Sequence, residues 1–315
     1  MPSAKSNALC LWAVAVLPAE AVAAGRQATA PASQAVDLDM SRPSAMLALV
    51  AVGLCVLAVW VIRRLARPAK LSLAGTPGRP NAVHPAHILI LLLLWLGSMY
   101  AVRQVAAAIW PEDSPQLVTA VNLVGQAAWL VGSLVVAAMA FRSGLARGLG
   151  LSARHWVYDG ARGILAYFAA IPICFGLLAA SVSIYQAIHG EAPPEHTMLQ
   201  ALDKVTLPWQ VVVIFSAVVM APLSEEVFCR GLLQSMVRRY TSRPWAAVVV
   251  SAVFFSLMHM TSAAEGRYVV WTPVPPLLAL GIVLGYNYER SGRLLAPILT
   301  HAIFNAVNVA MYLYG

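Results

Sequence analysis

Charged residues are scarce in this sequence. Of its 315 residues, only 11% are Asp, Glu, Lys or Arg, while 60% are hydrophobic; soluble domains carry about 25% charged residues. This composition excludes a soluble globular protein and predicts an integral membrane protein. The net charge of +8 comes mostly from short Arg clusters between apolar segments, without the basic domain that a nucleic-acid-binding protein requires. We therefore expect the lipid bilayer as a partner, and no nucleic acid.

Cysteine is also sparse, and two common hydrolase signatures are missing. The four cysteines are Cys10, Cys55, Cys174 and Cys229, and no two of them have metal-ligand or redox spacing. A disulfide framework is therefore not expected, and the last three, which lie in apolar segments, are predicted to be buried. The sequence contains neither a nucleophile-elbow serine nor a His-Glu-x-x-His zinc motif, so any hydrolytic chemistry must use other residues.

The N-terminal region has the composition of a targeting segment followed by a linker. Within residues 1–25, Lys5 precedes a short apolar core, and small residues around Ala21 to Ala24 resemble a signal-peptidase site. We interpret residues 1–25 as a signal peptide or an uncleaved N-terminal anchor. Residues 26–43 are rich in Ala, Ser, Pro and Gln and are predicted to form a flexible linker.

The rest of the chain is dominated by apolar runs that are long enough to cross a bilayer, which takes about 20 residues of helix. The fold class predicted from them is all-α, a polytopic transmembrane helical bundle of about eight spans, with residues 44–190 as an N-terminal group of helices. The predicted spans are 44–62, 87–109, 117–141, 163–187, 207–223, 245–262, 274–289 and 294–313.

The loops between these spans alternate between basic and acidic or nearly neutral. Cytoplasmic loops of membrane proteins carry an excess of Lys and Arg, so the alternation places the basic loops in the cytoplasm and the N-terminus outside. The basic loops contain Arg63, Arg64, Arg67, Lys70 and Arg79, then Arg142, Arg147 and Arg154, then Arg238, Arg239 and Arg243, then Arg290 and Arg293.

Three ionisable residues occur together inside an apolar stretch, where each costs several kcal/mol unless it is paired or faces a wet cavity. Glu226 and Arg230 are four residues apart and can pair on one helix face, whereas Glu225 is rotated by about 100°. Pro222 is expected to kink or break the helix. Ser224 would then be the N-cap of a new helix with both Glu residues in its first turn.

Two further polar groups lie in apolar helices near the C-terminus, at His259 and at His301 with Asn305. Convergence of the three helices would form a polar cavity in the bilayer. There a carboxylate can act as a general base on water, the two imidazoles can hold that water or a metal, and an Asn amide can donate to an oxyanion. The set fits the hydrolysis of an acyl bond.

These segments resemble the three motifs of the CPBP family, which comprises type II CAAX prenyl endopeptidases and bacterial Abi or bacteriocin-processing proteases. The patterns are Glu-Glu-x-x-x-Arg within residues 221–233, Phe-x-x-x-His at 255–259 and His-x-x-x-Asn at 301–305. The resemblance covers roughly residues 207–313, about a third of the chain, and identifies residues 191–315 as the catalytic transmembrane domain. One departure is Cys229, where many members have Phe.

The resemblance also implies roles for individual residues. Glu225 would activate water, His259 and His301 would orient the water or bind a metal, and Asn305 would stabilise the oxyanion, with Glu226 and Arg230 as a supporting pair. Family members are called metalloproteases, yet their sites are also interpreted as metal-independent. The cofactor is therefore unknown, with a divalent metal such as zinc on Glu225, His259 and His301 as one option.

The function predicted from these features is that of an intramembrane endopeptidase that cleaves a peptide or membrane-protein substrate, in the inner membrane of a bacterium. Two alternatives stay open. The protein could be a non-catalytic scaffold or bacteriocin-immunity protein, or a transporter with a proton relay, although no inverted repeat is visible. The substrate, and whether it is prenylated, does not follow from the sequence.

Overall fold

The computed structural model describes residues 43–66, 72–76, 78–111, 114–151, 153–193, 202–262 and 269–314. The predicted signal peptide or anchor of residues 1–25 lies outside the described residues, as do residues 26–42 of the predicted linker. Pro43, the last residue assigned to the linker, is the first residue of a helix.

Nine helices make up almost all of the described structure, together with a pair of two-residue antiparallel strands in which Thr261 faces Val270. The predicted all-α fold class is therefore confirmed. In chain order the elements are α1 (Pro43–Leu65), α2 (Pro85–Ala106), α3 (Pro115–Ala140), α4 (Leu145–Leu149), α5 (Trp156–His189), α6 (Leu207–Thr241), α7 (Pro244–Leu257), β1 (Thr261–Ser262), β2 (Val269–Val270), α8 (Val274–Ser291) and α9 (Leu295–Tyr314).

Six of these helices are long and apolar enough to cross a membrane, namely α1, α2, α3, α5, α6 and α9. The protein is thus an integral, multi-pass membrane protein. The other two predicted spans overlap α7 and α8, although the span predicted over 245–262 is helical only as far as Leu257, and Thr261–Ser262 form a strand. With 14 residues, α7 measures about 21 Å, which is less than a hydrocarbon core of about 30 Å. The eight predicted spans therefore correspond to six full-length candidates and two helices packed among them.

Of the kink or break predicted at Pro222, the break does not occur, because α6 runs from Leu207 to Thr241 without interruption; the kink stays a prediction. Two π-helical stretches, Ser216–Met220 and Val227–Gln234, flank the turn that contains the proline. A π turn widens the helix and moves the preceding carbonyls away from the proline ring, which relieves the clash that would break a regular α-helix.

The N-cap predicted at Ser224 is also wrong. The Ser224 hydroxyl donates back to the carbonyls of Met220 at 2.9 Å and Ala221 at 3.1 Å, a bonding pattern of residues inside helices. The two Glu residues consequently lie in the middle of α6 rather than in a first turn. The positive end of a helix dipole, which acts only within the first turn, does not explain their placement.

Helix α6 lies at the centre of the bundle, in contact with α3, α7, α8 and α9, while α5 packs against α1, α8 and α9. Its aromatic contacts join the two halves of the chain, since the Trp129 ring of α3 lies 4.6 Å from the Phe228 ring and stacks on Trp95 of α2 at 4.9 Å. This surrounding packing fixes the position of the motif on α6.

Two of the three cysteines predicted to be buried are buried, Cys174 and Cys229, whereas Cys55 of α1 is exposed. The prediction for Cys55 is wrong for a physical reason. A helix face that contacts lipid is as apolar as one that contacts protein, so the sequence pattern does not distinguish the two.

One end of α6 is held by hydrogen bonds to the segment between α1 and α2. Arg238 donates to the Thr76 carbonyl at 3.1 Å and to the Glu289 carboxylate at 3.0 Å, and Arg239 donates to the Val83 carbonyl at 3.0 Å. The Arg79 guanidinium lies 4.1 Å above the Tyr288 ring.

Burial lowers the pKa of Arg79 to about 10, while the Glu289 carboxylate acts in the opposite direction. Arg79 therefore stays charged at neutral pH. Basic residues from two of the loops predicted to be cytoplasmic meet at this end of the bundle, and the orientation of the chain in the membrane stays a prediction.

The contact between α1 and α5 leads to a prediction about Gly53. A Cβ atom on Gly53 would lie 2.7 Å from the Phe168 carbonyl oxygen, whereas one on Gly97 of α2 would meet no atom within 4 Å. Gly53→Ala should destabilise the protein by about 1–3 kcal/mol, the usual cost of overpacking. Gly97→Ala should have an effect of at most about 0.5 kcal/mol. The measurement is thermal unfolding in detergent, and equal midpoints for the two variants would contradict this packing.

Candidate functional site

Three elements bring one carboxylate and two imidazoles together inside the bundle. Glu225 comes from the middle of α6, His259 follows the end of α7, and His301 lies in the second turn of α9. The Glu225 Oε2 atom is 3.8 Å from Nε2 of His259 and 4.0 Å from Nε2 of His301. The structure thus brings together three of the four residues singled out as catalytic candidates.

The two rings present the same nitrogen to Glu225 because the other nitrogen of each is engaged elsewhere. Nδ1 of His259 is 2.8 Å from the Phe255 carbonyl oxygen. A carbonyl only accepts hydrogen bonds, so in a neutral ring the hydrogen is on Nδ1 and the Nε2 lone pair is free. The Phe255 ring lies 4.9 Å from the His259 ring and 5.3 Å from the His301 ring, and so helps to fix both imidazoles.

The second glutamate of the pair has different contacts. Glu226 Oε1 lies 2.8 Å from Nη1 of Arg230, and both side chains are fully buried, as the spacing of four residues indicated. The same oxygen is 3.0 Å from Nδ1 of His301. Glu226 therefore accepts from both groups, and this contact turns Nε2 of His301 toward Glu225.

Sequence reasoning did not find the contact between Glu226 and His301, or the further contacts of Arg230. The Arg230 Nη2 group donates to the Gly281 carbonyl at 3.2 Å, and the guanidinium lies 4.6 Å from the centre of the Phe255 ring. Four helices, α6 to α9, thus contribute to one polar cluster. No local spacing in the sequence indicates contacts between residues 51 or 75 positions apart.

Asn305 occupies a different position from the one expected. It lies one turn beyond His301 on α9, and its side-chain nitrogen donates to the Ala217 carbonyl at 2.8 Å. Among the described residues, no hydrogen bond joins Asn305 to Glu225 or to either histidine. Its contact is with the backbone of α6, two turns before Glu225.

The site is buried but accessible on the side of His259, whose side chain is 23% exposed while that of Glu225 is 10% exposed. Oε2 of Glu225 has no hydrogen-bond partner among the described residues. A buried carboxylate oxygen without a partner is costly. Oε2 of Glu226 also lacks a partner among the described residues, but it is the Glu225 oxygen that faces the Nε2 atoms of His259 and His301. This atom can therefore accept a hydrogen bond from a small molecule placed between it and the imidazoles.

The distances between the side chains of Glu225, His259 and His301 do not fit the coordination of a zinc ion in this arrangement. Neighbouring ligands of a tetrahedral zinc lie about 3.3 Å apart, given bonds of about 2.0–2.1 Å. The two separations from Glu225 are 3.8 and 4.0 Å. In the part of the chain that the structure describes, no group of three His, Cys, Asp or Glu residues has a geometry suited to a metal.

The fold and the site correspond to a class of multi-pass membrane proteins with polar residues buried at bilayer depth. Residues 207–307 match the family model of the Rce1-like type II CAAX prenyl endopeptidases. The family resemblance drawn from the three motifs is thus confirmed over this segment, which contains all four candidate catalytic residues. The segment is thus similar to a family of endopeptidases.

The comparison with curated proteins gives one partial match, and the comparison with solved structures gives none. An uncharacterized 24.3 kDa protein of Escherichia coli is 26% identical over 110 residues, which are 35% of this chain and 48% of that protein. The chain thus spans about half the length of the curated relative that it matches. No solved structure matches the chain.

The buried pair of Glu226 and Arg230 gives a prediction about stability. Glu226→Leu should destabilise the protein by about 3–5 kcal/mol, because it leaves the Arg230 guanidinium buried without its counter-ion. The double variant Glu226→Leu/Arg230→Met should recover much of this loss, since replacing both charges by apolar groups of similar size is often close to neutral.

The measurement is again thermal unfolding in detergent, together with the single variant Arg230→Met. Strictly additive losses in the double variant would show that the two charges do not depend on each other in the folded protein.

Proposed function

We propose that this protein is an intramembrane endopeptidase that hydrolyses a peptide bond with water activated by Glu225. The observation that supports this most directly is the free Oε2 atom of Glu225, which faces Nε2 of His259 at 3.8 Å and of His301 at 4.0 Å. The match of this segment to a protease family supports the same conclusion.

In the proposed reaction, a water molecule lies between Glu225 and the two imidazoles. Glu225 accepts one hydrogen of the water while an imidazole Nε2 accepts a hydrogen bond from the other, and the oxygen attacks the carbonyl carbon of the scissile bond. The amide of Asn305 has a second N–H, which would donate to the oxyanion. Glu225 then returns its proton to the leaving amine as the carbon–nitrogen bond breaks.

The substrate proposed is a peptide or a segment of a membrane protein, reached through the bilayer. We place the enzyme in the inner membrane of a bacterium. Support comes from the signal-like N-terminus, the short loops and the similarity of part of the chain to a protein of Escherichia coli. A prenylated substrate is named by the family description and is a hypothesis for this chain.

The proposed chemistry predicts that Glu225→Gln abolishes cleavage. Gln keeps the size of the side chain but is not a base, so the rate should fall by about a hundred- to ten-thousand-fold, the usual contribution of general base catalysis. Membrane proteomics of cells with wild-type or variant protein would identify the uncleaved substrate. Cleavage of that substrate by purified protein would then give the rate.

The matched control is Glu191→Gln at an exposed position, which should cleave at the wild-type rate. The enzymatic proposal would fail if the Glu225→Gln variant still cleaved the substrate. It would also fail if cells that lack the protein show a defect and this variant corrects the defect without cleaving any protein. The second result would favour the scaffold or immunity function.

The arrangement of the donors also predicts the response to metal removal. Because the separations around Glu225 exceed those of a zinc coordination sphere, cleavage should be unaffected by 1,10-phenanthroline, and elemental analysis should find well under one zinc ion per chain. Inhibition by the chelator that added zinc reverses would show that the site contracts around a metal.

A further inference from the structure

The π turn of α6 at Ser216–Met220 comes directly before the turn that contains Pro222. Within it, the backbone N–H of Ala221 donates to the carbonyl of Ser216. This is a bond across five residues, whereas an α-helix joins residues four apart. The helix therefore contains one extra residue at this point.

The bonding pattern leaves the Ala217 carbonyl without its usual donors. In an α-helix it would accept from the N–H of Ala221, but that group is bonded to Ser216. In a continued π-helix it would accept from residue 222, which is proline and has no N–H. A backbone carbonyl without a donor is costly inside a membrane-spanning helix, so a partner from outside the helix is required.

Asn305 is that partner. Its Nδ2 group reaches from α9 and donates to the Ala217 carbonyl at 2.8 Å. The neighbouring residue of the same turn is bound from the opposite helix, since the Ser216 hydroxyl donates to Oε1 of Gln126 on α3 at 3.1 Å. Side chains of two different helices thus bind consecutive residues of the π turn.

The π turn determines which glutamate faces the histidines. If it closed into a regular α-helix, the residues beyond it would move by one position, which is about 100° around the helix axis. Glu225 would then lose its place opposite His259 and His301, and Glu226 would lose its contact with His301. The hydrogen bond from Asn305 acts against this change.

We propose that Asn305 is a positioning residue for Glu225: its side chain supplies the hydrogen bond that Pro222 does not supply to Ala217, and thereby keeps the register of α6. The functional part of this inference rests on the proposed function. The bond uses one of the two N–H groups of the amide, so the other is free for the substrate. The proposal explains why a proline and an asparagine from distant segments both belong to the site.

A double-mutant cycle between Asn305 and Pro222 tests the proposal. Asn305→Ala should lower the unfolding midpoint in detergent and lower kcat by about ten- to a hundredfold, with KM nearly unchanged, because a mispositioned base slows the chemical step. Pro222→Ala restores a backbone N–H. In the π pattern this N–H can donate to the Ala217 carbonyl in place of Asn305, so Pro222→Ala/Asn305→Ala should regain most of the midpoint and of kcat.

Two controls use similar residues elsewhere. Pro172 is a proline inside α5, and Pro172→Ala should not rescue Asn305→Ala. The side chain of Asn308, also in α9, makes no hydrogen bond to the described residues, and Asn308→Ala should keep wild-type kcat. If Asn305→Ala does not fold, Asn305→Leu provides a variant whose side chain is closer in size to Asn. Recovery of folding when Pro222→Ala is added to Asn305→Ala or to Asn305→Leu supports the proposal.

Losses that add in the double variant would overturn the proposal and leave a direct action of Asn305 on the reacting atoms as its role. If the wild-type protein is active and the double variant regains the unfolding midpoint but not kcat, the positioning role of Asn305 is overturned. If the wild-type protein cleaves nothing, the proposed function fails, and the unfolding midpoints alone then decide whether Asn305 compensates for Pro222.

Discussion

The structure of the site depends on the buried ion pair between Glu226 and Arg230. A charge at bilayer depth is stable only if it is paired and hydrogen-bonded, and this pair meets the requirement through groups from four helices. Glu226 also accepts from His301 of α9, while Arg230 donates to the Gly281 carbonyl of α8 and lies against the Phe255 ring of α7. The interaction that neutralises the charges is therefore the same one that brings the helices of the site together.

This arrangement separates the roles of two adjacent residues of the same type. Glu226 is fully buried and binds Arg230 and His301 through its Oε1 atom, while Glu225 faces two imidazoles with an oxygen that has no hydrogen-bond partner. Neighbouring positions on a helix differ by about 100°, so the distinction is set by the register of α6. Two π-helical stretches on either side of Glu225 and Glu226 show that this register is not that of a simple α-helix.

The sequence predicted what depends on local spacing and missed what depends on how helices cross. Apolar runs located the helices, and a spacing of four residues indicated the pair of Glu226 and Arg230. The break at Pro222 and the cap at Ser224 were wrong because the rules behind them assume an α-helix, whereas a π turn accommodates the proline. The bond of Asn305 to Ala217 and that of His301 to Glu226 join residues 88 and 75 positions apart, and one sequence contains no signal for such contacts.

The N-terminal half of the chain, which carries no recognisable motif, contributes to the site through α6. Gln126 of α3 binds the π turn before Glu225, Trp129 of α3 packs on Phe228 just after it, and the segment between α1 and α2 binds the last turn of α6. Helix α6 is therefore supported at three levels by residues outside the segment that matches the protease family. Because a catalytic base must be positioned to within a fraction of an ångström, we infer that the family segment alone does not define the geometry of the site.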